Sequence, residues 1–79
     1  MEYERYSKRV YALMAFYKLS VVEMENKLEL RPMQLMHILS GRSHPNTSIF
    51  VGFAKSFPEL NMRWFISGEG EMIKATDNY

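Results

Sequence analysis

Between Arg31 and Arg42 the chain leaves room for only a short helix, because a proline stands near one end and a glycine at the other. Pro32 suits a first helical turn, where its missing N–H costs nothing. Leu35, Ile38 and Leu39 recur at helical spacing and make one narrow apolar face. Gly41 fits the left-handed position that closes a helix. At about 100° per residue, Met33 and His37 point most directly away from the apolar face. Ser40 lies close by, and Gln34 and Met36 flank them. A helix anchored by three aliphatic residues and presenting Met, Gln, His and Ser outward is built to touch something.

Signals of the same kind recur along the chain and predict four to five short helices and no strand. Tyr6, Val10, Leu13 and Tyr17 share one face of a first helix over roughly residues 3–17, with Met14 beside them. Ser20 and Glu23 form a capping-box signature for a second helix whose Met24 and Leu28 face inward. A very short break at Glu29 and Leu30 leads to the Pro32 helix. After the loop Ser43-His44-Pro45, Asn46 or Thr47 caps a fourth helix carrying Ile49, Phe50, Phe53 and Phe57. Gly52 inside it costs roughly 1 kcal/mol relative to alanine, so this helix must lean on packing. Phe57-Pro58 ends it. Asn61 caps a last short helix with Trp64, Phe65 and Ile66, stopped by Gly68 and Gly70, and Trp64 is expected to plug the core. The tail 71–79 is too short for a coiled-coil helix.

A chain of 79 residues is expected to be one domain, close to the size at which a single core becomes marginal. Nearly half of it is apolar, 47%, and 14% is aromatic, the composition of a folded domain rather than a disordered tail. It has no cysteine, which removes a disulfide framework and a thiolate zinc site and fits a reducing cytoplasm. The first residues, Met1-Glu2-Tyr3-Glu4-Arg5, carry acids and aromatics where a signal peptide needs a basic start and an apolar run. No apolar segment approaches membrane-spanning length. A cytoplasmic protein is expected. A glycine-rich nucleotide loop, a catalytic triad and a zinc-ligand series are all missing. Glu23 and Glu25 are two apart on a helix and face different ways, so they are no acid–base pair. His37 and His44 lack a cysteine or carboxylate partner nearby, so neither a metal nor a cofactor is expected. The chain does not read as an enzyme.

The net charge of +1 is small, but its distribution is uneven. From Leu30 to Pro58 there is no acidic residue, while Arg31, Arg42, Lys55, His37 and His44 lie within that span. Besides Glu2 and Glu4 near the start, the acids cluster before it (Glu23, Glu25, Glu29) and after it (Glu59, Glu69, Glu71, Asp77). A polyanion meets the middle of this chain as locally positive.

Two short helices joined by a tight turn, the second exposing polar side chains, describe a helix-turn-helix. The series Leu19-Ser20, Glu23, Lys27-Leu28, Leu30, then His37-Ile38-Leu39-Ser40-Gly41-Arg42 and Pro45 resembles the bacterial and phage repressor family of the lambda-repressor or Cro type. Phe57-Pro58-Glu59-Leu60-Asn61 and Trp64-Phe65-Ile66-Ser67-Gly68-Glu69-Gly70 are similar to the end of many such small regulators. The resemblance covers about Leu19 to Gly70. It implies an all-α, compact lambda-repressor-like DNA-binding domain with a helix-turn-helix at about 20–41. It also implies a transcriptional regulator that inserts its third helix into the major groove of double-stranded DNA, acting as a homodimer. Ser20 and Val21 would then lie near the DNA backbone. Arg31, Pro32, Met33, Gln34 and His37 would face the groove, and Arg42, Ser43 and His44 would approach phosphates. Gln34 has the amide to pair with adenine, and His37 can donate to a guanine or a phosphate. A methionine offers only apolar contact to a thymine methyl. Ser20 and Arg42 also have purely structural uses, as a helix cap and as a cation at a helix C-terminus.

The sequence departs from the family's pattern at several positions. Val21 stands where a backbone-binding glutamine is common and cannot make that hydrogen bond. Glu25 replaces a small alanine, and its carboxylate must reach solvent or find a cation, since burying it unpaired costs several kcal/mol. Glu29 replaces a turn glycine and loses roughly 1 kcal/mol if held left-handed. Pro32, Met33 and Met36 replace small polar residues at the groove. These changes support an alternative in which the same fold serves as a protein–protein interaction module, with Val21, Met33 and Met36 as an adaptable apolar patch. Tyr3, Tyr11 and Phe65 are the aromatic candidates for a dimer interface.

Overall fold

The computed structural model describes residues 4–74; Tyr3 and the end of the tail lie outside them. Within them the chain forms five helices: α1 (Glu4–Tyr17), α2 (Val21–Leu28), α3 (Gln34–Leu39), α4 (Thr47–Ser56) and α5 (Met62–Ser67). The fold is all-α. An isolated antiparallel bridge between Leu60 and Ile73 is the one β feature among the described residues.

Short polar side chains start three of these helices. The Ser20 hydroxyl accepts the Glu23 N–H at 3.1 Å, and the Glu23 carboxylate accepts the Ser20 N–H at 2.8 Å. This reciprocal pair is the predicted capping box. The bonds from the Ser20 backbone and hydroxyl hold the Glu23 carboxyl below the usual carboxylate range. Asn46 caps α4 by accepting from the Ile49 N–H at 2.9 Å, and Asn61 caps α5 by accepting from the Arg63 N–H at 3.1 Å.

Three helices end in one way. At α3 the Arg42 N–H donates to the His37 carbonyl at 3.0 Å and Gly41 N–H to Ile38 at 3.1 Å. Gly41 sits at φ 79°, the left-handed conformation this closure requires. At α2 the same pair of bonds runs from Leu30 to Glu25 and from Glu29 to Asn26; at α1 it runs from Leu19 to Met14 and from Lys18 to Ala15. The left-handed residues there are Glu29 (φ 56°) and Lys18 (φ 57°). Each carries a Cβ into a region that disfavours it by roughly 1–2 kcal/mol.

Pro32 does not open α3 as its position suggests. Arg31 to Gln34 form a turn closed by the Gln34 N–H on the Arg31 carbonyl at 3.1 Å, and the helix begins at Gln34. Met33 at φ −98°, ψ −10° has the third-residue geometry of a type I turn, whose second position proline favours. The Gln34 side chain folds back to accept the Arg31 N–H at 3.0 Å, so it braces the turn.

Val10, Leu13 and Met14 of α1 are buried together with Met24, Leu28, Leu35, Ile38, Leu39, Ile49 and Phe53. α3 packs mainly on α1, and α4 on α2. Ser7, buried on α1, donates its hydroxyl to the Leu39 carbonyl at the end of α3. Phe65 lies 4.6 Å from Phe53 and 5.6 Å from Phe50 between ring centroids, and Tyr6 reaches Phe50 at 5.9 Å. Neighbouring helical residues diverge by about 100°, so only one of Trp64 and Phe65 can fill the core. It is Phe65, fully buried, while Trp64 is half-buried. Phe65 is therefore no candidate interface residue; of the other two named for that role, Tyr11 is exposed and Tyr3 lies outside the described residues.

Arg9 closes α5 from a distance. Its guanidinium donates to the carbonyls of Phe65 at 3.0 Å and Ile66 at 3.1 Å, a favourable place for a cation at a helix C-terminus. Gly68 passes so near that a Cβ there would sit 2.6 Å from Arg9 Nη2. Beyond Gly70 the chain turns back. Asn61 N–H donates to Met72 at 2.9 Å, and Lys74 N–H to Glu59 at 2.7 Å. Among the described residues no helix is long and apolar enough to cross a membrane.

Candidate nucleic-acid interface

The orientation of α3 follows from its buried side. Leu35, Ile38 and Leu39 are 5% exposed or less, so the opposite side faces outward. There Met33 is 59% exposed and Met36 41%, with His37 and Ser40 also exposed and Gln34 half-buried. Met36, His37 and Ser40 face outward as the helical spacing predicts, whereas Met33 is exposed from the turn that precedes the helix. Arg31 precedes this surface and Arg42 follows it; both side chains are exposed, and neither takes part in an ion pair among the described residues.

The loop after α3 continues the surface. Ser43 is half-buried, and its N–H donates to the His37 carbonyl at 3.3 Å. His44 is exposed, with Nδ1 2.8 Å from the carbonyl oxygen of Pro45, and Pro45 itself is fully buried. A buried proline holds the loop's end against the core. Thus Arg31, Met33, Gln34, His37, Arg42, Ser43 and His44 gather on α3 and its two flanks. Ser20 stands apart, at the start of α2, and its hydroxyl is engaged as the cap.

Hydrogen bonds within the protein limit what these side chains can offer. The Gln34 amide oxygen accepts from Arg31 N–H, whereas pairing with adenine needs the oxygen and the nitrogen of the amide together. The Ser40 hydroxyl donates to the His37 carbonyl at 3.1 Å. Of the outward polar groups on α3, the His37 ring is left without such a bond among the described residues.

Val21, Glu25 and Glu29, three residues singled out in the sequence, have visible consequences. Val21 is half-buried and packs against the core, and the α2 valine that stands outward is Val22, 63% exposed. The spacing contains this: Val21 lies three residues before the inward Met24 and shares its face. Glu25 meets its requirement only partly. The side chain is half-buried, and its Oε2 is closed off from solvent with no hydrogen-bond partner among the described residues. Glu29 is exposed and left-handed, as expected of a residue in the glycine position.

An open cleft of about 330 Å³ runs between the α2–α3 turn and the start of α4, with Arg31, Gln34, Asn46 and Ser48 among its lining residues. Among the described residues no three His, Cys, Asp or Glu side chains gather where they could hold a metal ion. Compared with models of known protein families, with curated proteins and with solved structures, the chain matches none.

Proposed function

We propose that this chain is a sequence-specific DNA-binding regulator of transcription, whose α2, turn and α3 act as a helix-turn-helix. The observation that carries the reading is the outward surface of α3, flanked by Arg31 and Arg42, which form no ion pair among the described residues, and set in a span without acids from Leu30 to Pro58. A duplex presents a groove wide enough for a helix between two rows of phosphates. α3 enters that groove, and the exposed Arg42 guanidinium fixes its position on the phosphates. Ser20 and the start of α2 lie along the same backbone. Two copies act on a two-fold site, since a symmetric dimer recognises a palindrome.

The test is selection of binding sites from a random duplex library, followed by titration of the winners against salt. Enrichment of a palindromic site with affinity falling as salt rises supports the reading. Arg42→Ala is expected to weaken binding across sequences and to reduce the salt slope by about 1. No enrichment, with only feeble binding at low salt, sinks it. A second reading then gains weight from the exposure of Met33, Met36 and Val22, which form apolar surface suited to docking another protein.

A further inference from the structure

We infer that α3 selects its DNA site chiefly through thymine C5-methyl groups, with Met33 and Met36 as the specificity-determining side chains and Gln34 as a positioning residue. The inference rests on the DNA-binding reading above and narrows it to a partner chemistry.

The donors and acceptors on α3 carry the argument. Direct reading of the major groove works by hydrogen bonds to base edges or by apolar contact with the thymine methyl. The side chain best suited to hydrogen-bonded reading, Gln34, has its amide oxygen held by the Arg31 N–H at 3.0 Å and is half-buried. Turning it fully toward an adenine gives up this brace on a turn that the backbone bond from Gln34 N–H to the Arg31 carbonyl still closes, so pairing there comes at a cost. The Ser40 hydroxyl proton is directed at the His37 carbonyl. One imidazole remains as the polar reading group on the helix. Beside it stand two thioethers, Met33 at the N-cap of α3 and Met36 in its first turn, 59% and 41% exposed.

Neither thioether can pair with a base edge. Each gains by leaving water for an apolar surface, and in a major groove the methyl of thymine supplies that surface. The flexible, polarizable methionine side chain adapts to such a contact without a fixed geometry. Arg31 and Arg42, at the two ends, supply charge complementarity to the phosphates on either side.

The experiment takes the site enriched from the random library and replaces its thymines one at a time by deoxyuridine, which lacks only the methyl. The unaltered protein is expected to lose about fourfold in affinity at one or two of these positions, the factor that follows from ~0.8 kcal/mol for a buried methyl-sized group. Met33→Ala and Met36→Ala, both changes at exposed positions, are each expected to abolish the penalty at one thymine and leave other positions as they were. Gln34→Ala is expected to lower affinity with the preferred sequence unchanged. A site that is sharply enriched yet indifferent to every deoxyuridine overturns the inference and leaves the DNA-binding reading intact. So does a shift of base preference in Gln34→Ala without any methyl effect. Failure to enrich any site overturns both.

Discussion

From Lys18 to Ile49 the chain contains no Phe, Tyr or Trp, while the segments on either side hold all of its aromatic residues. The two regions are stabilised differently. In α1, α4 and α5 the rings of Tyr6, Phe50, Phe53, Phe57, Phe65 and Tyr17 form a chain of contacts with centroids about 4.6 to 6.0 Å apart. Such pairs add to the large area each ring buries. The α2–α3 region buries only aliphatic and methionine side chains, Met24, Leu28, Leu35, Ile38 and Leu39. It also holds the left-handed Glu29, the unpartnered Glu25 oxygen, and a six-residue helix without a side-chain cap. Local choices that stabilise nothing collect where α3 is displayed. Departures from local rules tend to mark places where a surface is kept for another purpose.

The largest expected effect lies in the aromatic region. Phe53 is fully buried, 4.6 Å from Phe65 and 6.0 Å from Phe57. Truncation to alanine there is expected to cost about 3–5 kcal/mol, most of the stability a chain this small holds. Met36→Ala, on the displayed surface, is expected to change stability by roughly 0.5 kcal/mol or less. Urea denaturation of both variants measures the contrast. Equal losses would break the comparison, since Met36 would then belong to the core.

The same division explains what could be read from the sequence. Helix boundaries were legible where the signal is local: Ser20 with Glu23, Asn46, Asn61, Gly41 and Gly68 each act within a few residues of themselves. The rotation of α3 was legible because Leu35, Ile38 and Leu39 leave one orientation. Contacts between distant segments were not. Arg9 on the carbonyls of Phe65 and Ile66, Ser7 on Leu39, and the return of Met72 and Lys74 onto Asn61 and Glu59 depend on how the helices assemble. The choice of Phe65 over Trp64 is of this kind, as α5 is too short for its own periodicity to orient it. At the surface, the sequence supplied Gln34 as an amide free to pair, and only the fold shows it turned back on Arg31.

Glu25 sharpens the comparison further. Its Oε2 is buried without a partner among the described residues, and leaving a buried acceptor unsatisfied costs roughly 1–3 kcal/mol. Because the side chain is half-buried, Glu25→Ala is expected to gain at the low end, about 1 kcal/mol, which raises Tm by roughly 4–8 °C in a domain of this size. Thermal unfolding reads it directly. A variant that melts lower instead shows that the carboxylate is satisfied in solution, and the α2–α3 region then carries one fewer unfavourable choice.

The smallest expected effect concerns the two left-handed residues with side chains. Glu29 at φ 56° and Lys18 at φ 57° have matching closures, so Glu29→Gly and Lys18→Gly relieve the same strain. Glycine also loses more conformational freedom on folding, by roughly 0.5–1 kcal/mol, so each net gain is expected to stay below about 1 kcal/mol. Equal gains in stability make this pair a clean test of position. Glu29 is the last acid before the acid-free span and borders the cleft that Arg31 and Gln34 line. Removing its carboxylate is expected to tighten DNA binding a few-fold at low salt, with the gain fading as salt screens it. Lys18→Gly removes an exposed cation two residues before Ser20, beside the start of α2, and is expected to lower affinity at low salt. If the two variants bind alike, the turn at Glu29 does not face the phosphates, and Arg31 loses the role given to it here.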